Sequence, residues 1–139
     1  MKDKIVFIGC VKSKLDVKSK AKDLYVSPLF RGSLKYARSL TTEDNIFILS
    51  ALYGLVPLNK EIEPYELTLN KMNKKDRTTW YNMVKEQMKE ENIDFDNTAV
   101  FLTGKTYLEG LDDVFTTNEY PLEGLMLGER ISFYNKRNA

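Results

Sequence analysis

The chain has no histidine and a single cysteine, Cys10. Without imidazole there is no Ser–His or Cys–His catalytic pair and no His-ligated zinc. With one thiol there is no disulfide framework, Cys₄ zinc site or iron–sulfur cluster. Glycine and proline are also sparse, at seven and four of 139 residues, and an ordinary 42% hydrophobic content with a net charge of +1 argues against disorder. Long apolar runs are missing too. The first, Ile5 to Gly9, is far shorter than the ~18 residues of a membrane span. A soluble, cytoplasmic protein with no membrane partner is expected, and the length fits one α/β domain over 1–139.

Charge balances overall, at 21 basic against 20 acidic side chains, but it is unevenly spread. Cys10 to Leu40 holds eight basic residues against Asp16 and Asp23, a net +6. Glu86 to Glu119 holds nine acidic residues against Lys89 and Lys105, a net −7. The basic end suits phosphate or nucleic acid, and it equally suits a solvated lysine-rich loop.

Four apolar runs read as strands: Ile5–Ile8, Ile46–Leu49, Thr98–Leu102 and Val114–Thr117. Residues 10–27 read as a long loop. Ser27-Pro28 signals a helix start, because Ser caps free amides and Pro suits the first turn. That helix runs to about Leu40, with Phe30, Leu34, Ala37 and Leu40 on one face. A second helix runs from about Asp76 to Asn92, with Trp80, Met83, Val84 and Met88 as its apolar stripe. A short helix is expected from Lys105. A last one is expected from Pro121, packing through Leu122, Leu125, Met126 and Phe133 or Tyr134, with Gly124 and Gly128 sharing a face. The alternation implies a three-layer α/β fold, with a mostly parallel sheet of about four strands flanked by helices.

Ligands of such sheets bind outside the carboxyl ends of the strands. Three of these ends are polar and glycine-containing: Gly9-Cys10-Val11-Lys12-Ser13-Lys14, Ser50-Ala51-Leu52-Tyr53-Gly54 and Thr103-Gly104-Lys105-Thr106-Tyr107. Brought to one rim, they would offer lysines to a phosphate and tyrosines to a flat ring. Gly104-Lys105-Thr106 looks like the end of a P-loop, but position 99 is Ala where the first glycine is needed, so a P-loop NTPase is rejected. The loop Ile62 to Leu69 sets Glu63 and Glu66 beside Pro64-Tyr65. With no histidine, a carboxylate is the natural proton-transfer group.

Enzyme and binding readings both follow. As an enzyme on a nucleotide or nucleic-acid base, possibly cleaving an N-glycosidic bond, the chain would use Glu63, Ser50 and Cys10 as catalytic residues. Lys12, Lys14, Tyr25, Tyr53, Tyr65, Lys105, Tyr107 and Arg130 would bind substrate. As a binder it would use the same lysines and tyrosines without chemistry. A third reading is a protein-interaction factor using the acidic 86–119 stretch. No cofactor or metal is expected.

The ordered set Gly9-Cys10-x-Lys12-x-Lys14, Leu24-Tyr25-x-Ser27-x-Leu29-Phe30, Leu49-Ser50-Ala51-x-x-Gly54-Leu55-Val56, Ile62-x-Pro64-Tyr65-x-x-Thr68-Leu69 and Pro121-Leu122-x-Gly124-Leu125-x-x-Gly128-x-Arg130 resembles a family of small, uncharacterised bacterial and phage domains. More remotely, Leu49 to Gly54 with Glu63-Pro64-Tyr65-x-Leu67 is similar to a block of YaaA-like peroxide-stress proteins, which implies DNA binding. Domains of this kind also resemble uracil-DNA-glycosylase-like folds.

Overall fold

The structure is a computed structural model that describes residues 3–10 and 14–139. In chain order its strands are β1 (Lys4–Gly9), β2 (Ser19–Lys20), β3 (Ile46–Ser50), β4 (Gly54–Pro57), β5 (Glu61–Ile62), β6 (Thr98–Leu102) and β7 (Thr117–Glu119). Its helices are α1 (Ala21–Leu24), α2 (Pro28–Leu40), α3 (Lys74–Glu90), α4 (Lys105–Leu108) and α5 (Leu127–Arg137). Five strands form one sheet in the order β4-β3-β1-β6-β7, parallel except for β4. β2 and β5 pair separately. The fold is therefore a mostly parallel α/β sheet flanked by helices. Among the described residues, no helix is long and apolar enough to cross a membrane.

Strand alternation divides the core between two faces. Val6, Ile8, Ile46, Ile48, Val100 and Leu102 pack with α2 and α5 residues such as Phe30, Leu34 and Tyr134. Phe7, Phe47, Leu49 and Phe101 pack with Trp80, Val84 and Met88 of α3. Phe7 lies in register with Phe47 and Phe101, at centroid distances of 6.2 and 5.2 Å, so one row of rings crosses the three central strands. Burial of each such ring stabilises the fold by about 1.5–3 kcal/mol.

Ser27 caps α2 by accepting from the Phe30 amide at 3.1 Å, and Pro28 opens the helix. Asn73 caps α3 through the Asp76 amide. α3 ends at Glu90, two residues before Asn92 turns left-handed at φ 57°.

Several expectations need correction. The 10–27 segment holds β2, α1 and a bridge between Lys14 and Tyr25, so its described part is not one irregular loop. The fourth strand lies at Thr117–Glu119 rather than Val114–Thr117. The apolar signal at Phe115 comes from a buried ring set against Phe7 and Phe95, not from ladder pairing. The last helix starts at Leu127, because the chain turns through 121–124 and Gly124 adopts φ 78°. Gly124 and Gly128 therefore share no helix face, and a methyl group on either would meet open space. Met126 and Met83 are exposed rather than core.

Candidate functional site

The strand connections define where a ligand fits. β1 leads to α2 on one face, whereas β3 and β6 lead to α3 and α4 on the other. The crevice beside β1, between its carboxyl end and that of β6, is thus a topological switch point. A small recess of about 60 Å³ lies there, lined by Gly9, Cys10, Ser33, Thr103, Gly104 and Arg130 among others. It adjoins a cleft of about 340 Å³ through shared Thr103, Leu122 and Arg130. Gly9 is required for this closeness: a Cβ there would overlap the Thr103 side chain.

The cleft carries two cations from different elements, Lys105 of α4 and Arg130 of α5. Arg130 is oriented by donation from its Nε to the Leu125 carbonyl at 3.1 Å. Lys105 is exposed and lies 3.8 Å from Glu109. Tyr120 forms an aromatic wall, stacked on Phe101 at 5.8 Å. Glu109, Asp112 and Glu123 complete the rim. Among the described residues, no group of three or more Cys, Asp or Glu side chains is arranged to hold a metal.

On the β3 side of Cys10 lies a cluster of hydroxyls. The buried Ser50 hydroxyl donates to Tyr65 Oη at 2.8 Å and accepts from the Tyr53 amide at 3.0 Å. The Ser50 carbonyl accepts from Trp80 Nε1 at 2.9 Å, which pins the strand end to α3. Tyr65 and Tyr25 share a hydrogen bond of 2.6 Å between their hydroxyls. Cys10 Sγ donates to Tyr107 Oη at 3.3 Å, and the Leu69 amide donates to the same oxygen at 3.3 Å. The Lys14 ammonium sits 4.5 Å from the Tyr65 ring centre and 5.7 Å from that of Tyr25, within cation–π range.

Burial sets the electrostatics of this cluster. It raises Tyr25 and Tyr65, and it pushes Tyr107 up to about 12, with the neighbouring Cys10 adding to each shift. All three phenols are therefore neutral hydrogen-bonding groups near pH 7. Burial lowers Lys14, while its neighbours Cys10 and Glu66 oppose that shift. The cluster is a relay of uncharged hydroxyls beneath one ammonium.

The structure gathers Cys10, Lys14, Tyr25, Ser50, Tyr65 and Tyr107 at one rim. Tyr53 stands edge-on to Tyr65 at 5.7 Å. Tyr25 is buried with its ring against Phe30, and it meets the rim through its hydroxyl and through the Lys14 ammonium near its ring. Lys105 and Arg130 flank the β6 side. Glu63 is exposed and joins the site through its backbone, whose amide and carbonyl both bond to Tyr53 Oη, at 3.2 and 3.4 Å. Lys12 lies outside the described residues.

Sequence reasoning missed Tyr120, Ser33 and the carboxylates of the cleft. Tyr120-Pro121 carries the same adjacency of aromatic and proline that drew attention to Pro64-Tyr65. Gln87 of α3 is a further residue that the sequence does not single out. Its side chain accepts from the Leu55 amide at 2.8 Å and donates to the Tyr53 carbonyl at 3.0 Å, fastening the loop that carries Tyr53.

Comparison with curated proteins finds no match. Comparison with protein-family models finds one that spans residues 5–136, nearly the whole chain, and the chain therefore belongs to DUF6884, a family of unknown function.

Proposed function

We propose that the protein is directed at a nucleotide or nucleic acid, whose phosphate and ring it takes into the crevice between β1 and β6. The observation that carries this reading is the pairing of Lys105 and Arg130 with the Tyr120 face across one cleft on the β6 side, adjoining the recess at the switch point. Two cations from separate elements neutralise a phosphate, and the ring stacks a base. The cleft volume of about 340 Å³ suits one nucleotide unit. The similarity of the Ser50 and Tyr65 blocks to YaaA-like proteins agrees with a nucleic-acid ligand.

A catalytic version is hydrolysis of the N-glycosidic bond. Water would add to the sugar carbon, and the released base would take the proton. Glu63 is the carboxylate of this version: Tyr53 holds its backbone beside the tyrosine cluster, its side chain is exposed, and it would act on substrate reaching from the cleft toward that cluster. Glu63 would activate that water, Cys10 would orient the substrate from the recess, and the buried Ser50 would act only by positioning Tyr65. Without the chemistry, the same residues make a nucleotide-binding protein of a stress or phage system.

Titration calorimetry with nucleoside monophosphates and short oligonucleotides tests binding. Arg130→Ala and Lys105→Ala are each expected to weaken it about tenfold, an effect of about 1.4 kcal/mol. If wild type binds neither ligand, the reading is lost. Chromatography of free base tests the chemistry: Glu63→Gln should abolish release, and equal rates would remove its role.

A further inference from the structure

A second basic surface lies apart from the crevice. α2 carries Arg31, Lys35 and Arg38 and no acidic residue. Spacings of four and three residues set these three along one side of the helix. Arg31 and Arg38 also line a groove of about 490 Å³ between α2 and the 15–26 segment, with Lys22 on its other wall. Leu15 and Val26 give that wall an apolar surface, and Leu15 is 40% exposed. The acidic groups facing the groove are Asp23, on its wall, and Glu43, which pairs with Arg38 at 2.9 Å. Arg31 and Lys35 are exposed.

We infer that this groove binds the phosphodiester backbone of a single-stranded nucleic acid, with phosphates along α2 and base faces on the Leu15–Val26 wall. From Arg31 to Arg38 the helix rises about 10 Å, enough to meet two or three successive phosphates. Leu15 and Val26 set aliphatic surface among the charged side chains of the groove, and unpaired bases covering them would remove that surface from water. α2 carries no acidic residue, whereas the cleft sets Glu109, Asp112 and Glu123 around its two cations, so the groove is the more basic surface for a strand. The groove thus extends the proposed nucleotide reading to a polymer, and it rests on that reading only for the kind of ligand.

The test is fluorescence anisotropy with a labelled oligothymidylate, using wild type, Arg31→Ala/Lys35→Ala and Arg31→Glu/Lys35→Glu. Both pairs lie on the exposed side of α2, and thermal melting checks that the fold is kept. The alanine pair should weaken binding about tenfold and the glutamate pair further. The slope of log affinity against log salt should fall by roughly one to two units for the alanine pair. Mononucleotide binding in the crevice should be unchanged in both. Unaltered oligonucleotide affinity, no binding by wild type, or equal affinity for duplex or for anionic vesicles would each overturn the groove. Loss of mononucleotide binding alone, with the strand still bound through α2, would instead overturn the crevice reading and leave the groove standing.

Discussion

The hydroxyls of Tyr25 and Tyr65, forty residues apart in sequence, meet at 2.6 Å beneath the Lys14 ammonium. This contact ties the segment after β1 to the loop after β5. It also closes a chain of hydroxyls that starts at Ser50, at the end of β3. Three stretches of sequence with no local reason to associate are held at one rim by polar bonds in a half-buried setting. Such bonds matter most when one is removed, because each remaining partner then lacks a mate.

Tyr65→Phe is therefore expected to destabilise the protein by about 1–3 kcal/mol, since it strands both the Ser50 and the Tyr25 hydroxyls. Urea unfolding measures the loss. The double variant Tyr25→Phe/Tyr65→Phe should cost less than the two single losses added together, because the second change removes a group already stranded. Strict additivity would show that the two phenols do not act as a unit.

Alkaline pH should weaken the fold, and the sign follows from burial. Tyr107 and Tyr134 are both raised from about 10 to about 12, chiefly by desolvation. Between these values the unfolded chain loses phenolic protons that the folded chain retains, so stability present below pH 10 is lost as pH rises toward 12. The slope approaches about 1.4 kcal/mol per pH unit for each such tyrosine. Among the described residues the buried Tyr134 hydroxyl has no well-formed hydrogen bond, and its neighbour Ser33, which donates to the Leu29 carbonyl, only partly offsets its burial. Tyr134→Phe should thus leave stability at pH 7 equal or higher and flatten the alkaline decline. A clear loss at pH 7 would mean that this hydroxyl is satisfied after all.

The parts of the fold legible in sequence are those with a one-dimensional signature. β1, β3 and β6 are apolar on both faces, so each reads as a continuous run. α2 shows its cap and its opening proline. β4 lacks such a mark: four residues ending in Pro57 make an edge strand only because a tight turn folds them back on β3. β7, of sequence Thr-Asn-Glu, is a polar edge whose strand character comes wholly from β6. The rim was legible because Cys10, Ser50 and Thr103 directly follow or end strong strands. Tyr120 and Glu123 were not, because their approach to Arg130 depends on the turn before α5. Glu63 illustrates the remaining gap, since proximity in sequence to Tyr65 does not decide whether a backbone or a side chain faces the cluster.

Gln87 gives a sharper test of how α3 supports the site. Its amide spans the Leu55 amide and the Tyr53 carbonyl, and Gly54 between them has φ 77°. Gln87→Leu keeps the apolar stem but leaves both backbone groups without this partner. A stability loss of about 1–3 kcal/mol is expected. Amide exchange should quicken most at Leu55, whose protection would fall ahead of that of the β3 core. Uniform protection across β3 and β4 in the variant would show that the turn holds itself without α3.

The close approach of β1 and β6 at the crevice predicts a reciprocal pair. Ile8 pairs with Leu102, so Gly9 lies beside Thr103 just where the ladder ends. A methyl group at position 9 would overlap the Thr103 side chain and force the strand ends apart. Gly9→Ala should cost about 1–3 kcal/mol from overpacking, and it should also weaken nucleotide binding by widening the crevice. Thr103→Gly removes the obstructing atoms but adds backbone freedom, at a cost of up to about 1 kcal/mol. If steric contact is the cause, the double variant should be more stable than Gly9→Ala alone, a gain that unfolding curves would resolve. Were the double variant instead as unstable as the two losses combined, the glycine would serve backbone conformation rather than clearance.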